Sequence, residues 1–139
     1  MTRIYTLVNQ KGGVGKTTTT INLGAYLGQF GQRVLIVDLD PQANASSSLG
    51  VDKTTVNGST YEALLGSALP AALTLRNERL KLSIMPSSPS LAGAEVELVN
   101  ELARETRLRQ ALEQFDEMYD YILIDCPPSL GLLTVNGLV

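Results

Sequence analysis

An apolar run, Ile4-Tyr5-Thr6-Leu7-Val8, passes through Asn9 into Gln10-Lys11-Gly12-Gly13-Val14-Gly15-Lys16-Thr17-Thr18, and no other stretch of the 139 residues constrains the fold as much. Three glycines let the backbone curl so that successive N–H groups converge on one anion, where side chains would collide. The pattern G-x-x-x-x-G-K-[ST] needs a lysine on the β- and γ-phosphates and a hydroxyl on Mg²⁺, which assigns Lys16 and Thr17 to those tasks. Thr17 and Thr18 also open a helix, whose unpaired N–H groups and positive dipole end add to the anion site. Gly12, Gly13, Val14, Gly15, Lys16, Thr17 and Thr18 are thus the expected cradle of a nucleoside triphosphate.

One departure from that pattern is informative. The first glycine of the ordinary loop falls on Gln10, and a second lysine, Lys11, stands beside the phosphates. Two ammonium groups so close repel each other unless a polyphosphate neutralises both, so Lys11 reads as a further phosphate ligand rather than a solvated loop lysine. The string Lys-Gly-Gly-Val-Gly-Lys-Thr-Thr resembles the deviant Walker A motif of the ParA/MinD family of ATPases. The resemblance implies ATP as the nucleotide and a homodimer that closes on two ATP molecules. It also implies that Lys11 reaches the nucleotide held by the other subunit, so that Lys11 and Lys16 both act in catalysis.

The alternation of elements predicts an α/β fold with a doubly wound, mainly parallel sheet. Ile4–Val8 reads as the first strand. A helix is expected over about Thr17–Phe30, with Ile21, Ala25 and Gly28 on the face towards the sheet and Gly31 at its C-terminal stop. Val34-Leu35-Ile36-Val37, ending in Asp38, is a continuous apolar run, as in a parallel strand covered on both faces. From Pro41 to Thr60 the composition turns to Asn, Ala, Ser, Gly and Asp, a long loop with short helical pieces. A short helix over Tyr61–Leu65 and a strand over Leu80–Met85 follow. Leu108, Leu112, Phe115 and Tyr119 mark an amphipathic helix with Arg109 and Glu113 paired on its outer face. Tyr121-Ile122-Leu123-Ile124-Asp125 is a second buried strand.

Asp125 closes that strand in the position of a carboxylate that holds Mg²⁺, usually through water. Asp38-Leu39-Asp40-Pro41-Gln42 leaves the other buried strand at the same edge. Asp38 reads as a support for the Mg²⁺ shell, so Thr17, Asp38 and Asp125 form the expected metal set. The family resemblance assigns Asp40 to the attacking water. Pro41 stiffens the base of the segment that follows. The string Asp-Cys-Pro-Pro-Ser-Leu-Gly-Leu-Leu-Thr-Val-Asn from Asp125 resembles the ParA/Soj branch in particular, and Ser129 within it is a candidate helix cap.

Composition narrows the remaining choices. Apolar residues make up 44% of the chain, as in an ordinary globular protein, and no signal peptide or membrane span is predicted. The cytoplasm is the expected compartment. A net charge of −3 gives no support for nucleic-acid binding by these residues alone. The groups Arg76/Arg79/Lys81 and Arg104/Arg107/Arg109 are interleaved with glutamates and read as solvated faces. Cys126 is the single cysteine and reads as a small buried residue at a strand end.

The resemblance therefore implies a partition ATPase, slow without its partner. It would bind DNA without sequence preference as an ATP-bound dimer, associate with the nucleoid, and be reset by a ParB-type partner for chromosome or plasmid segregation. A MinD-like membrane-surface ATPase and a positioner of other cargo are the alternatives, and a nitrogenase-like iron protein is disfavoured by the single cysteine. Family members are longer, and Leu130–Val139 reads as a helix cut in mid-course with an exposed apolar end. Residues 1–139 are accordingly expected to form one incomplete domain, with the adenine pocket and the DNA surface in the missing C-terminal part.

Overall fold

Val34, Leu35, Ile36 and Val37 alternate between two cores, and this period-two pattern sets the architecture. Leu35 and Val37 pack into one apolar cluster with Met85, Ile122 and Ile124. Val34 and Ile36 pack into the other with Leu82, Ile84 and Leu123. The computed structural model describes residues 2–8, 14–52, 58–101, 104–115, 117–128 and 131–139.

The strands are β1 (Arg3–Leu7), β2 (Val34–Asp38), β3 (Leu75–Asn77), β4 (Leu82–Met85) and β5 (Tyr121–Asp125). The helices are α1 (Val14–Gln29), α2 (Asn44–Ser48), α3 (Thr60–Leu65), α4 (Leu91–Leu98), α5 (Arg107–Leu112) and α6 (Leu132–Leu138). The sheet order is β1-β5-β2-β4-β3. Its pairings are parallel except for the edge pair β3/β4. Helix α1 covers one face through Ile21 and Leu27. Residues of α3, α4, α5 and α6 cover the other, including Leu64, Leu98, Leu108 and Leu133. The doubly wound sheet expected from the sequence is present, in three layers.

The face of α1 differs from expectation at one position. Gly24 and Gly28 are buried and Ala25 is only partly so. A Cβ on Gly28 would stand 2.6 Å from the Lys81 carbonyl oxygen, so the helix lies against the β3/β4 turn at a distance only glycine permits. Gly31 takes φ 80° two residues past the last helical residue, the left-handed stop expected of it.

Three other elements depart from the sequence reading. The strand placed over Leu80–Met85 begins at Leu82, because Lys81 turns left-handed at φ 56° and the Leu80 N–H donates to Asn77 Oδ1 at 3.0 Å. That turn creates β3, which pairs back antiparallel. The amphipathic helix ends at Leu112 and passes into a single 3₁₀ turn over Glu113–Phe115, and Glu117 adopts φ 64°. Tyr119 lies beyond the helix and meets Phe115 edge-on, with ring centroids 5.4 Å apart. At the last helix, Leu138 and Val139 are exposed as expected, but Asn136 and Gly137 are buried. Asn136 Oδ1 accepts from the Leu108 N–H at 3.1 Å and its Nδ2 donates to the Arg104 carbonyl at 2.8 Å, tying α6 to the start of α5.

Candidate functional site

Parallel neighbours β2 and β5 run in register so that Asp38 lies beside Asp125, and both carboxyl ends open on the edge that α1 approaches. Lys16 Nζ donates to Asp125 Oδ1, and Thr17 Oγ1 donates to Asp125 Oδ2 at 3.0 Å. The ion pair is sealed from water, with side chains 6% and 0% exposed. No acidic residue occupies the first turn of α1, so its N-terminal N–H groups have no carboxylate from that turn competing for them. Thr20 Oγ1 donates to the Lys16 carbonyl at 2.9 Å and steadies that turn. Lys16, Thr17 and Asp125 thus put an ammonium, a hydroxyl and a carboxylate within one hydrogen-bonded group, the donor chemistry that a magnesium polyphosphate takes.

The second carboxylate segment is built differently. The Asp38 side chain is fully buried. Its Oδ1 accepts from the Asp40 N–H at 3.0 Å, and its Oδ2 accepts from Ser46 N at 3.0 Å and Ser46 Oγ at 2.7 Å. Burial pushes its carboxyl up to about 7, against the opposing effect of the Ser46 and Asp40 hydrogen bonds. Asp40 is nearly buried, and its Oδ1 accepts from the Gln42 N–H at 3.0 Å. An Asp at the start of a turn with proline next is a sequence signal for that bond. The partners Ser46 and Ser87 had no such signal. Ser87 N donates to Ser46 Oγ at 3.0 Å and Ser87 Oγ donates to the Asp40 carbonyl at 2.6 Å, so the end of β4 is tied to the segment after β2.

The structure therefore brings together Lys16, Thr17 and Asp125, with Asp38 beside Asp125 in register and Asp40 two residues further along. Thr18 is exposed on α1, and Gly15 has open space where a Cβ would stand. Val14 is the first residue of α1. Lys11, Gly12 and Gly13 lie outside the described residues, as does Ser129.

The other candidates take structural roles. Arg76, Arg104, Arg107 and Arg109 each pair with a glutamate, at 3.4, 3.1, 3.1 and 3.9 Å. Cys126 is buried, and burial pushes its thiol up to about 12. Among the described residues, no helix is long and apolar enough to cross a membrane, and no group of three or more His, Cys, Asp or Glu stands ready to chelate a metal. A cavity of about 690 Å³ lies between β1, α5 and α6, lined by Ile4, Thr6, Phe115, Ile122 and Leu138 among others. It shares no residue with the Lys16–Asp125 group, so side-chain chemistry and not empty volume marks the site.

Comparison with known proteins agrees with this geometry. The AAA domain family AAA_31 matches residues 2–139. The chain is 52% identical over 142 residues to the sporulation initiation inhibitor protein Soj of Bacillus subtilis, covering 99% of this chain and 54% of Soj. It is 54% identical over 136 residues to the chromosome partitioning protein ParA of Myxococcus xanthus, covering 98% of this chain and 48% of that protein. Among solved structures, cobyrinic acid a,c-diamide synthase from Mycobacterium smegmatis, with bound ATP analog and magnesium, has a TM-score of 0.97 at 46% identity, over 99% of this chain and 56% of that one. The chain spans about half the length of the curated relatives it matches. The sheet, the lysine-bearing helix start and the relatives identify a P-loop nucleoside triphosphatase fold, and the chain belongs to the AAA domain family AAA_31.

Proposed function

We propose that the protein is a partition-type ATPase that binds Mg·ATP on Lys16, Thr17 and the loop before them. The observation that carries this reading is the buried group of Lys16, Thr17 and Asp125 at the carboxyl edge of the parallel sheet. An ammonium so enclosed attracts phosphate oxygens far more strongly than one in water. Thr17 Oγ1 and Asp125 would hold Mg²⁺, the latter through water, and Asp38 supports that shell from behind through the bonds it makes to Asp40 and Ser46. Bound Mg²⁺ supplies charge neutralisation of the phosphate oxygens.

Asp40 orients the attacking water. The water oxygen forms a bond to the γ-phosphorus, the bond from that phosphorus to the β–γ bridging oxygen breaks, and ADP and phosphate leave. Lys16 stabilises the charge that spreads over the γ-oxygens, and Lys11 does so from the other subunit of an ATP-bound homodimer. In this reading the dimer binds DNA without sequence preference on the nucleoid and a ParB-type partner stimulates turnover. The Soj and ParA relatives support partition over a membrane-surface role or the positioning of another cargo.

The test is calorimetry and phosphate release on the full-length protein, its Lys16→Ala variant and its Asp40→Ala variant, with and without DNA and a ParB-type partner. Lys16→Ala is expected to lose Mg·ATP binding, and Asp40→Ala to keep binding and lose turnover. Parent-level turnover in Asp40→Ala overturns the role given to Asp40. Phosphate release that depends on a carboxylic-acid acceptor, and not on DNA and the partner, replaces partition with a synthase chemistry.

A further inference from the structure

Asp40 is held at three points of its backbone and side chain, one of them by a serine of another segment. Its N–H donates to Asp38 Oδ1 at 3.0 Å, its carbonyl accepts from Ser87 Oγ at 2.6 Å, and its Oδ1 accepts from Gln42 N at 3.0 Å. Ser46 joins the first two supports. It is fully buried in α2, donates twice to Asp38 Oδ2, and accepts from Ser87 N at 3.0 Å.

We propose that Ser46 is a positioning residue for hydrolysis, locking Asp38 and Ser87 together so that the Asp40 backbone is fixed from both sides against the edge of the sheet. This rests on the reading of Asp40 as the residue that orients the attacking water. A carboxylate that orients water must hold its place to within a fraction of an ångström, and a misplacement near 1 Å costs about a hundredfold in rate. Asp40 lies in a turn after the strand, where the sheet's own ladder does not reach it. The strand's last backbone bond on this side is Leu39 N to the Asp125 carbonyl at 2.9 Å. Beyond Leu39 the Asp40 carbonyl takes a local turn bond from the Ala43 N–H at 2.8 Å, and side chains align that turn with the neighbouring segments. The Asp38 carboxylate carries that load only if its own rotation is fixed, and the two bonds from Ser46 to one oxygen fix it. Ser46 Oγ is a donor to Asp38 and an acceptor from Ser87 at once, a role a hydroxyl can fill and a methyl group cannot. Thr60 Oγ1, donating to the Asp38 carbonyl at 2.9 Å, braces the same residue from α3.

The experiment compares the full-length protein with Ser46→Ala, Ser46→Thr and Ser87→Ala, measuring Mg·ATP affinity by calorimetry, kcat and KM by phosphate release, and the thermal midpoint. Ser46→Ala is expected to lose about tenfold or more in kcat, a larger change than in Mg·ATP affinity, because the Asp38 carboxylate that Ser46 fixes bonds the Asp40 backbone directly and only backs the Mg²⁺ shell. Ser46→Thr keeps the hydroxyl and is expected to return kcat to within about threefold. Ser87→Ala removes only the bond to the Asp40 carbonyl, and a smaller loss in kcat at unchanged KM is expected. If Ser46→Ala does not fold at the assay temperature, Ser87→Ala decides. Parent-level kcat in the folded Ser46→Ala or in Ser87→Ala, or equal loss in Ser46→Ala and Ser46→Thr, overturns the proposal. A parent protein that binds no Mg·ATP, or an Asp40→Ala variant that turns over normally, overturns instead the reading on which it rests.

Discussion

Lys16 of α1 and Asp125 of β5 form an ion pair closed off from solvent, although 109 residues separate them in the chain. Such a pair contributes little net stability when intact, because desolvation offsets the attraction, yet removing one member strands the other charge in a dry site. Asp125→Ala is therefore expected to destabilise the protein by about 3–5 kcal/mol. Urea denaturation checks it, and an unchanged midpoint would mean that water reaches Lys16 in solution.

Arg33 and Asp120 clamp the starts of β2 and β5. Arg33 Nη2 donates to Asp120 Oδ1 at 2.9 Å, the Arg33 N–H donates to Oδ2 at 2.8 Å, and the Asp120 N–H returns a bond to the Arg33 carbonyl at 2.8 Å. The two bonds that Arg33 donates hold the Asp120 carboxyl at about 2, below its ordinary 3.8. A depressed carboxyl stabilises the fold fully above its unfolded value and loses that contribution as pH falls through the folded one. The parent should thus lose stability between about pH 4 and pH 2 more steeply than Asp120→Asn. Parallel melting curves for the two proteins across that range would contradict it.

Cys126 gives a third expectation. Its thiol is enclosed and pushed up to about 12 by burial, so at pH 8 almost no thiolate is present. A disulfide reagent such as dithionitrobenzoate should leave the native protein unmodified and label one thiol per chain in denaturant. Rapid labelling of the native protein would show that α6, whose Gly137 packs against the sulfur, opens readily.

Strands β2 and β5 and helix α1 were legible because continuous apolar runs and a glycine-rich loop report on burial and backbone conformation directly. Strand β3 was not. Leu75 and Arg76 are exposed and Asn77 half-buried, so its pairing comes from the turn at Lys81 rather than from any alternation of its own. Helix α4 carries Gly93 and lacks a side-chain cap, and packing of Leu91, Ala94 and Leu98 into the core overrides its weak local signals. Within the site, Asp38, Asp40 and Asp125 could be placed at one edge because parallel strands deliver their carboxyl ends together. Ser46 and Ser87 could not, since they meet across 41 residues and a serine in a loop reads as turn chemistry.

Two glycines on α1 allow a contrast between opposing effects. Alanine is favoured over glycine inside a helix by about 1 kcal/mol, so either substitution starts with that gain. At Gly24 the new Cβ would meet Ile36 Cδ1 at 3.0 Å, the end of a side chain that can turn aside. At Gly28 it would meet the carbonyl oxygens of Lys81 and Leu80 at 2.6 and 2.8 Å, which belong to a backbone turn and cannot move without shifting β4. Overpacking of that kind costs about 1–3 kcal/mol and exceeds the helical gain. Gly24→Ala should stay within about 1 kcal/mol of the parent, while Gly28→Ala should fall below both. Thermal melts of the three proteins test the order, and a Gly28→Ala variant as stable as Gly24→Ala would mean that α1 stands off the sheet by more than the packing described.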